Sequence, residues 1–138
     1  MTDLKASRTN IQYDLLLPHE HVIEPRKEAL IKYLMSYEVI IIPTILVCEK
    51  SLMIIDGHHR YFALTAMGVK SIPVNTINYF SEKILTHENP GMAVPKNDLI
   101  LSAKKGNLYP PKTTKHVFVK DNKTSPIILL SELTEIRL

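Results

Sequence analysis

The stretch Leu52-Met53-Ile54-Ile55-Asp56-Gly57-His58-His59-Arg60-Tyr61-Phe62-Ala63-Leu64 constrains this chain more than any other. Its apolar start reads as a buried strand. Asp56-Gly57 breaks the run, and the residues that follow carry a helical pattern ending at Gly68, a residue suited to a helix C-terminus. A buried strand therefore turns into a helix at a point holding an acid, two imidazoles and a guanidinium. The N-terminus of a helix carries partial positive charge and favours acids. Asp56 fits the N-cap position. His58, His59 and Arg60 in the first turn run against the dipole, at a cost of a few tenths to about 1 kcal/mol unless an anion binds. Backbone N–H groups at such a terminus suit a phosphate. The turn thus reads as an anion site, with solvated basic residues on an ordinary capped helix as the plain alternative.

The remaining pattern is that of one small α/β domain. Residues 1–11 are polar and read as a loose start, followed by a short strand at Tyr13-Asp14-Leu15-Leu16-Leu17 that Pro18 ends. His19-Glu20-His21 then lies in a loop, a common place for reactive groups. Glu24-Pro25 opens a helix whose stripe of Leu30, Tyr33, Leu34 and Tyr37 reads as core. Residues 39–43 connect onward. The runs Thr44 to Cys48 and Leu52 to Ile55 make a hairpin across Glu49-Lys50-Ser51. Residues 57–67 form the central helix, and Ile72 to Ile77 a third strand that Pro73 places at an edge or a start. His87-Glu88-Asn89-Pro90-Gly91 is turn chemistry. Lys96 to Lys105 can form a helix with Asn97 or Asp98 near its start, Leu99, Ile100 and Ala103 on its apolar side, and Gly106 closing it. Val117-Phe118-Val119 is a short strand and Asp121-Asn122-Lys123 a turn. Residues 127–130 and 136–138 have no assigned place.

Composition narrows the class. With 138 residues, 45% of them apolar, the chain has enough material for one core. A net charge of +3 is mild, fits a small anionic ligand and does not require nucleic acid. The single cysteine, Cys48, excludes an internal disulfide and reads as a small buried hydrophobe. There is no signal-peptide pattern at the start and no apolar run approaching ~20 residues, so the expectation is a cytoplasmic protein without a membrane span.

Ile55-Asp56-Gly57-His58-His59-Arg60, then Ala63-Leu64, Gly68 and Ile72-Pro73-Val74, resembles the ParB/sulfiredoxin-like superfamily. Its Asp-Gly-His-His-Arg form is most similar to the free L-serine kinases. Two further blocks, Leu17-Pro18-His19-Glu20 and Leu108-Tyr109-Pro110-Pro111-Lys112-Thr113-Thr114-Lys115-His116, resemble the same kinases. The resemblance covers residues 14–116. It implies a small mixed sheet with packed helices: one domain over residues 1–138, with a core at about 14–80 and a C-terminal substrate-site extension over 81–138. It also implies phosphorylation of free L-serine to O-phospho-L-serine, with ADP or ATP as donor and Mg2+ as cofactor. A non-catalytic nucleotide-binding regulatory module and a ParB-like nucleic-acid-associated protein are the alternatives.

Under this resemblance Gly57, His58, His59 and Arg60 bind the nucleotide. Gly57 lets the backbone approach, Arg60 can grip phosphate oxygens in bidentate fashion, and one of the two histidines serves packing. Glu20 and Asp56 are the catalytic candidates, Glu20 as base and Asp56 either capping the helix or holding Mg2+. Lys112, Thr113, Thr114 and His116 recognise serine; in an extended segment Thr114 and His116 share one side. The chain has no Walker A loop, has His58 near the place of the sulfiredoxin cysteine, and shows no helix-turn-helix pattern. Those absences turn the reading away from P-loop, sulfiredoxin and DNA-partitioning chemistry.

Overall fold

The computed structural model describes residues 4–88 and 95–138. Along the chain run β1 (Ser7–Gln12), a 3-10 turn (Tyr13–Leu15), α1 (Glu24–Leu34), β2 (Val39–Pro43), β3 (Ile45–Cys48) and β4 (Ile54–Asp56). Then come α2 (His58–Ala66), β5 (Ser71–Ile77), β6 (Ile84–Glu88), α3 (Lys96–Lys105), β7 (Thr114–Lys120), β8 (Lys123–Pro126), a second 3-10 turn (Ile127–Leu130) and β9 (Leu133–Arg137). This is the expected α/β chain of a small mixed sheet with helices packed on it.

The central sheet has the order β1-β5-β3-β4, antiparallel at both ends and parallel between β5 and β3. Alternation along β3 divides the core in two. Ile45 and Val47 join Ile54, Ile72 and Val74 beneath Leu34 of α1 and Tyr61 and Leu64 of α2. Leu46 and Cys48 join Ile55 and Ile77 beneath Leu99, Ile100 and Ala103 of α3 and Phe118 of β7. The sheet is thus buried on both faces, as its nearly continuous apolar strands require. Cys48 is a free, buried thiol. β6, β7 and β8 form a second sheet, and β2 pairs with β9 in a third.

Several expectations needed correction. Residues 7–12 are a strand, because β1 is an edge whose hydrogen bonds to β5 demand no apolar side chains; of the strand expected at 13–17, Tyr13–Leu15 form a 3-10 turn and only Leu17 pairs, in a single bridge to Met53. Residues 39–43 are a strand in their own right, paired with β9, which takes in residues 136 and 137 of the segment left without a place. Pro73 lies inside the sheet, on a strand with neighbours on both sides. It is tolerated because pairing with β3 begins only at Val74. On α1 only Leu34 is fully buried; Tyr33 and Tyr37 are 61% and 51% exposed and pack against each other, so the stripe read as core is half solvent. His87 and Glu88 end β6, and the rest of the turn read at 87–91 lies outside the described residues.

Local signals fixed the helix ends. α2 closes with Gly68 at φ +89°, where Val69 N–H reaches Leu64 C=O and Gly68 N–H reaches Thr65 C=O, each at 3.0 Å. Asp121 and Asn122, both left-handed, make the two-residue turn between β7 and β8. Leu64 has no exposed surface between α2 and the sheet. Leu64→Ala is expected to cost about 2–5 kcal/mol in urea unfolding, because the surrounding strands cannot collapse onto the gap.

Candidate active site

The end of β4, the start of α2, the loop after Pro18, the first turn of α1 and residues 112–116 enclose a cleft of about 540 Å³. Glu20, Asp56, Gly57, His58, His59, Arg60, Lys112, Thr114 and His116 all line it. Thr113 does not; its hydroxyl donates to Pro110 C=O at 2.6 Å, so the structure leaves this expected substrate residue in the turn. His19, Arg26 and Lys115 line the cleft without having been singled out as site residues. For His19 the only available signal was its place beside Glu20 in the Leu-Pro-His-Glu block.

Glu20 is held from across the chain. Its Oε1 accepts from Lys112 N–H at 2.7 Å, and its Oε2 from the Thr114 hydroxyl at 2.7 Å and Thr114 N–H at 3.3 Å. Lys112 adopts φ +60°, an uncommon backbone state for a residue other than glycine that follows the rigid Pro110-Pro111 pair. That conformation presents its N–H to the carboxylate. Tyr109 N–H donates to His19 C=O and His21 N–H to Tyr109 C=O, both at 2.8 Å, which stitches the loop to the same segment. Glu20 is 8% exposed. With three lone-pair sites occupied, a fourth is left to meet a hydroxyl.

At the head of α2 the structure revises the expected cap. Asp56 belongs to β4, and the N-cap is Gly57 at φ +107°, with no side-chain cap among the described residues. The Asp56 carboxylate pairs instead with Arg60 Nη2 at 3.4 Å, and the same nitrogen donates to Thr44 C=O at 3.2 Å. Arg60 folds back over the glycine: a Cβ on residue 57 would lie 2.8 Å from Nη2. Gly57 is therefore required by its φ, and a side chain there would also displace the guanidinium tip. Arg60 Nε is buried and without a hydrogen-bond partner among the described residues.

The two imidazoles are not cations. His58 Nε2 accepts from His19 N–H at 3.1 Å, and His59 Nε2 accepts from Ile23 N–H at 3.0 Å. An imidazole nitrogen that accepts is unprotonated, so each ring is neutral with its proton on Nδ1. Burial lowers the pKa of both, His58 far more, with help from the neighbouring His19 and His116; Lys112 and Arg26 add to the effect at His59. The charge running against the helix dipole is therefore Arg60 alone. His58 packs edge-on against His19, ring centroids 4.5 Å apart. The Thr114 and His116 side chains share a face of β7, as extended alternation requires, and His116 Nε2 lies 2.8 Å from the Tyr79 hydroxyl.

Asp56 is the carboxylate suited to a divalent ion: it is partly exposed in the cleft wall, and one of its oxygens pairs with Arg60. Mg2+ needs one or two carboxylates, taking its other ligands from phosphates and water, so the donor set fits. Among the described residues no group of three or more acidic, His or Cys side chains could hold a metal by itself.

Burial lowers the pKa of His19 from 6.5 to about 4, partly offset by its hydrogen bond to Ile54 C=O. The unfolded chain therefore binds this proton more readily than the folded one. Stability is full above about pH 6.5 and is lost as pH falls toward 4, with His19 alone contributing about 3 kcal/mol and His58 acting in the same direction. Urea unfolding at pH 7, 5.5 and 4 measures this; a flat profile would contradict the buried neutral rings.

No protein-family model matches the chain. Over 77 residues, 54% of this chain, it is 34% identical to the ATP-dependent L-serine kinase of Staphylothermus marinus, matching 31% of that protein. Over 108 residues, 75% of this chain, it is 28% identical to the ADP-dependent L-serine kinase SerK of Thermococcus kodakarensis, matching 45% of that protein. The chain thus spans less than half the length of these curated relatives. In structure it matches an alanine mutant of a free serine kinase in complex with AMP, with a TM-score of 0.71 at 15% identity over 91% of this chain and 93% of that one. The resemblance carried by the Asp-Gly-His-His-Arg turn is borne out to this extent: the chain has the fold of that free serine kinase, and its sequence is similar to proteins named L-serine kinases.

Proposed function

We propose that this chain phosphorylates free L-serine, making O-phospho-L-serine with ADP or ATP as donor. The observation that carries the reading is one cleft in which a tethered carboxylate, Glu20, shares the walls with a helix N-terminus and a guanidinium whose side-chain cap and Nε partner are both lacking among the described residues. Phosphoryl transfer asks for little more than held phosphates, neutralised charge and an oriented hydroxyl. The first N–H groups of α2 and Arg60 hold the donor phosphates. His58 and His59, neutral, offer Nδ1–H groups and no charge.

Glu20 accepts the proton of the serine hydroxyl and orients it. Asp56 would hold Mg2+, which when bound offsets charge on the donor phosphates. Residues 112–116, in the C-terminal extension, recognise the amino acid. Lys112, Lys115 and His116 face its carboxylate, Thr114 acts through Glu20, and Thr113 shapes the turn. Substrates of this kind, a free amino acid and a nucleotide, place the reaction in the cytoplasm; among the described residues no helix is long and apolar enough to cross a membrane.

The deciding experiment incubates the protein with Mg2+, L-serine and either nucleotide and looks for O-phosphoserine. Nucleotide binding without any product would return the chain to a regulatory module. Arg60→Ala is expected to weaken nucleotide binding by about 1.5–3 kcal/mol in calorimetry, the scale of charge-assisted hydrogen bonds. Glu20→Gln is expected to leave that affinity nearly intact while abolishing turnover. Equal turnover in the Gln variant would remove Glu20 from the mechanism.

A further inference from the structure

A proton count across the cleft floor carries an inference beyond the kinase reading, on which only its catalytic part rests. Ile54 C=O can only accept, so its 2.8 Å contact with His19 Nδ1 places the ring proton on Nδ1 and leaves Nε2 an acceptor. Nε2 lies 3.1 Å from Thr114 Oγ1, and Oγ1 lies 2.7 Å from Glu20 Oε2. The hydroxyl has one proton for two acceptors. With Glu20 ionised, that proton goes to Oε2 and Nε2 faces the lone pairs of Oγ1. With Glu20 protonated, the hydroxyl turns to Nε2, and Oγ1 accepts from the new carboxyl O–H. Every contact in the chain then has its proton.

An imidazolium at His19 would also complete the set, but the surroundings oppose charge there. His19 is 1% exposed, faced by His58 from α2 and by His116 from β7, with ring centroids at 4.5 and 5.6 Å. Lys112, Lys115 and Arg60 line the same cleft, with His59, Arg26 and Asp56.

We propose that the Thr114 hydroxyl is a switch between Glu20 and His19, donating to the carboxylate while it is ionised and to His19 Nε2 once Glu20 has taken a proton. In the transfer step the acceptor O–H bond breaks and its proton joins Glu20. The freed electron pair forms the new O–P bond, and the bond from phosphorus to the bridging oxygen breaks, its pair leaving with the nucleotide. Thr114 then turns to His19 and steadies the neutral carboxyl. His19 is a positioning residue that favours the proton-loaded state of Glu20 through Thr114.

The test uses His19→Asn, whose amide N–H replaces Nδ1 and removes Nε2, and His19→Gln, whose amide oxygen can stand in for Nε2. Without Nε2 the hydroxyl stays on Glu20 and favours its ionised form. In the full chain labelled at glutamate carboxyl carbon, the Glu20 titration midpoint is expected to fall by about one pH unit in His19→Asn and to return toward wild type in His19→Gln. The acid limb of kcat/KM for serine is expected to move with it. In a Thr114→Val background His19→Asn is expected to shift nothing, whereas Thr114→Ser titrates like wild type. An unmoved midpoint in His19→Asn, or a shift that survives Thr114→Val, overturns the switch. Should His19→Asn not fold, His19→Ala in wild-type and Thr114→Val backgrounds takes its place: a midpoint shift that needs the Thr114 hydroxyl supports the switch, and no shift, or one that survives Thr114→Val, overturns it. A shifted midpoint in a protein that makes no phosphoserine leaves the switch standing and removes the kinase reading. Product with no shift does the reverse.

Discussion

The cleft depends on one carboxylate that ties distant parts of the chain together. Glu20 sits in the loop after Pro18, and Lys112, just before β7, carries an uncommon φ. Each holds the other in place, through two N–H groups and a hydroxyl on the two oxygens of a single side chain. A charged acceptor makes these bonds stronger than neutral ones. The cost of placing Lys112 in the left-handed region is thereby offset by the interaction that makes the site.

The histidines show how burial redistributes function among similar side chains. Four imidazoles, His19, His58, His59 and His116, border one cleft beside Lys112, Lys115 and Arg60. If all were charged, the cleft would repel itself apart. Burial and backbone donors instead keep His19, His58 and His59 neutral, so that they carry directional hydrogen bonds and leave the positive charge to the guanidinium and ammonium groups. An anion entering the cleft meets cations at its walls and dipoles at its floor.

Much of this was legible in the residues. The β4-to-α2 turn, its terminal Gly68, the helix ended by Gly106 and the turn at Asp121-Asn122 are local signals, each set by a few neighbouring side chains. The grouping of Glu20 with residues 112–116 was reached through resemblance, because nothing local relates segments so far apart. What could not be read was pairing. β1 has exposed polar side chains and exists because β5 offers it hydrogen bonds, and β2 became a strand because β9 lies beside it. The N-cap position was misassigned to Asp56 for a related reason. An acid before a helix looks like a cap until the backbone shows that Gly57 has taken that position and Arg60 has turned back to meet the acid.

The pairing of β2 with β9 bears on how the molecule comes together. Ile40 and Ile42 are buried, and Thr44 exchanges hydrogen bonds with Glu132: Thr44 N–H donates to Glu132 C=O, and Glu132 N–H to the Thr44 hydroxyl. These contacts close a loop of about ninety residues, and loop closure is a cost met before the contacts formed can repay it. Thr44 is also the residue whose carbonyl receives Arg60, and its hydroxyl bonds Asn75 in β5. The strand that seals this seam therefore arrives beside the carbonyl that supports Arg60. Folding order and site assembly are linked at Thr44: a chain that has collapsed around its central sheet without β9 would pair Arg60 with Asp56 but leave the Thr44 N–H and hydroxyl without their Glu132 partners.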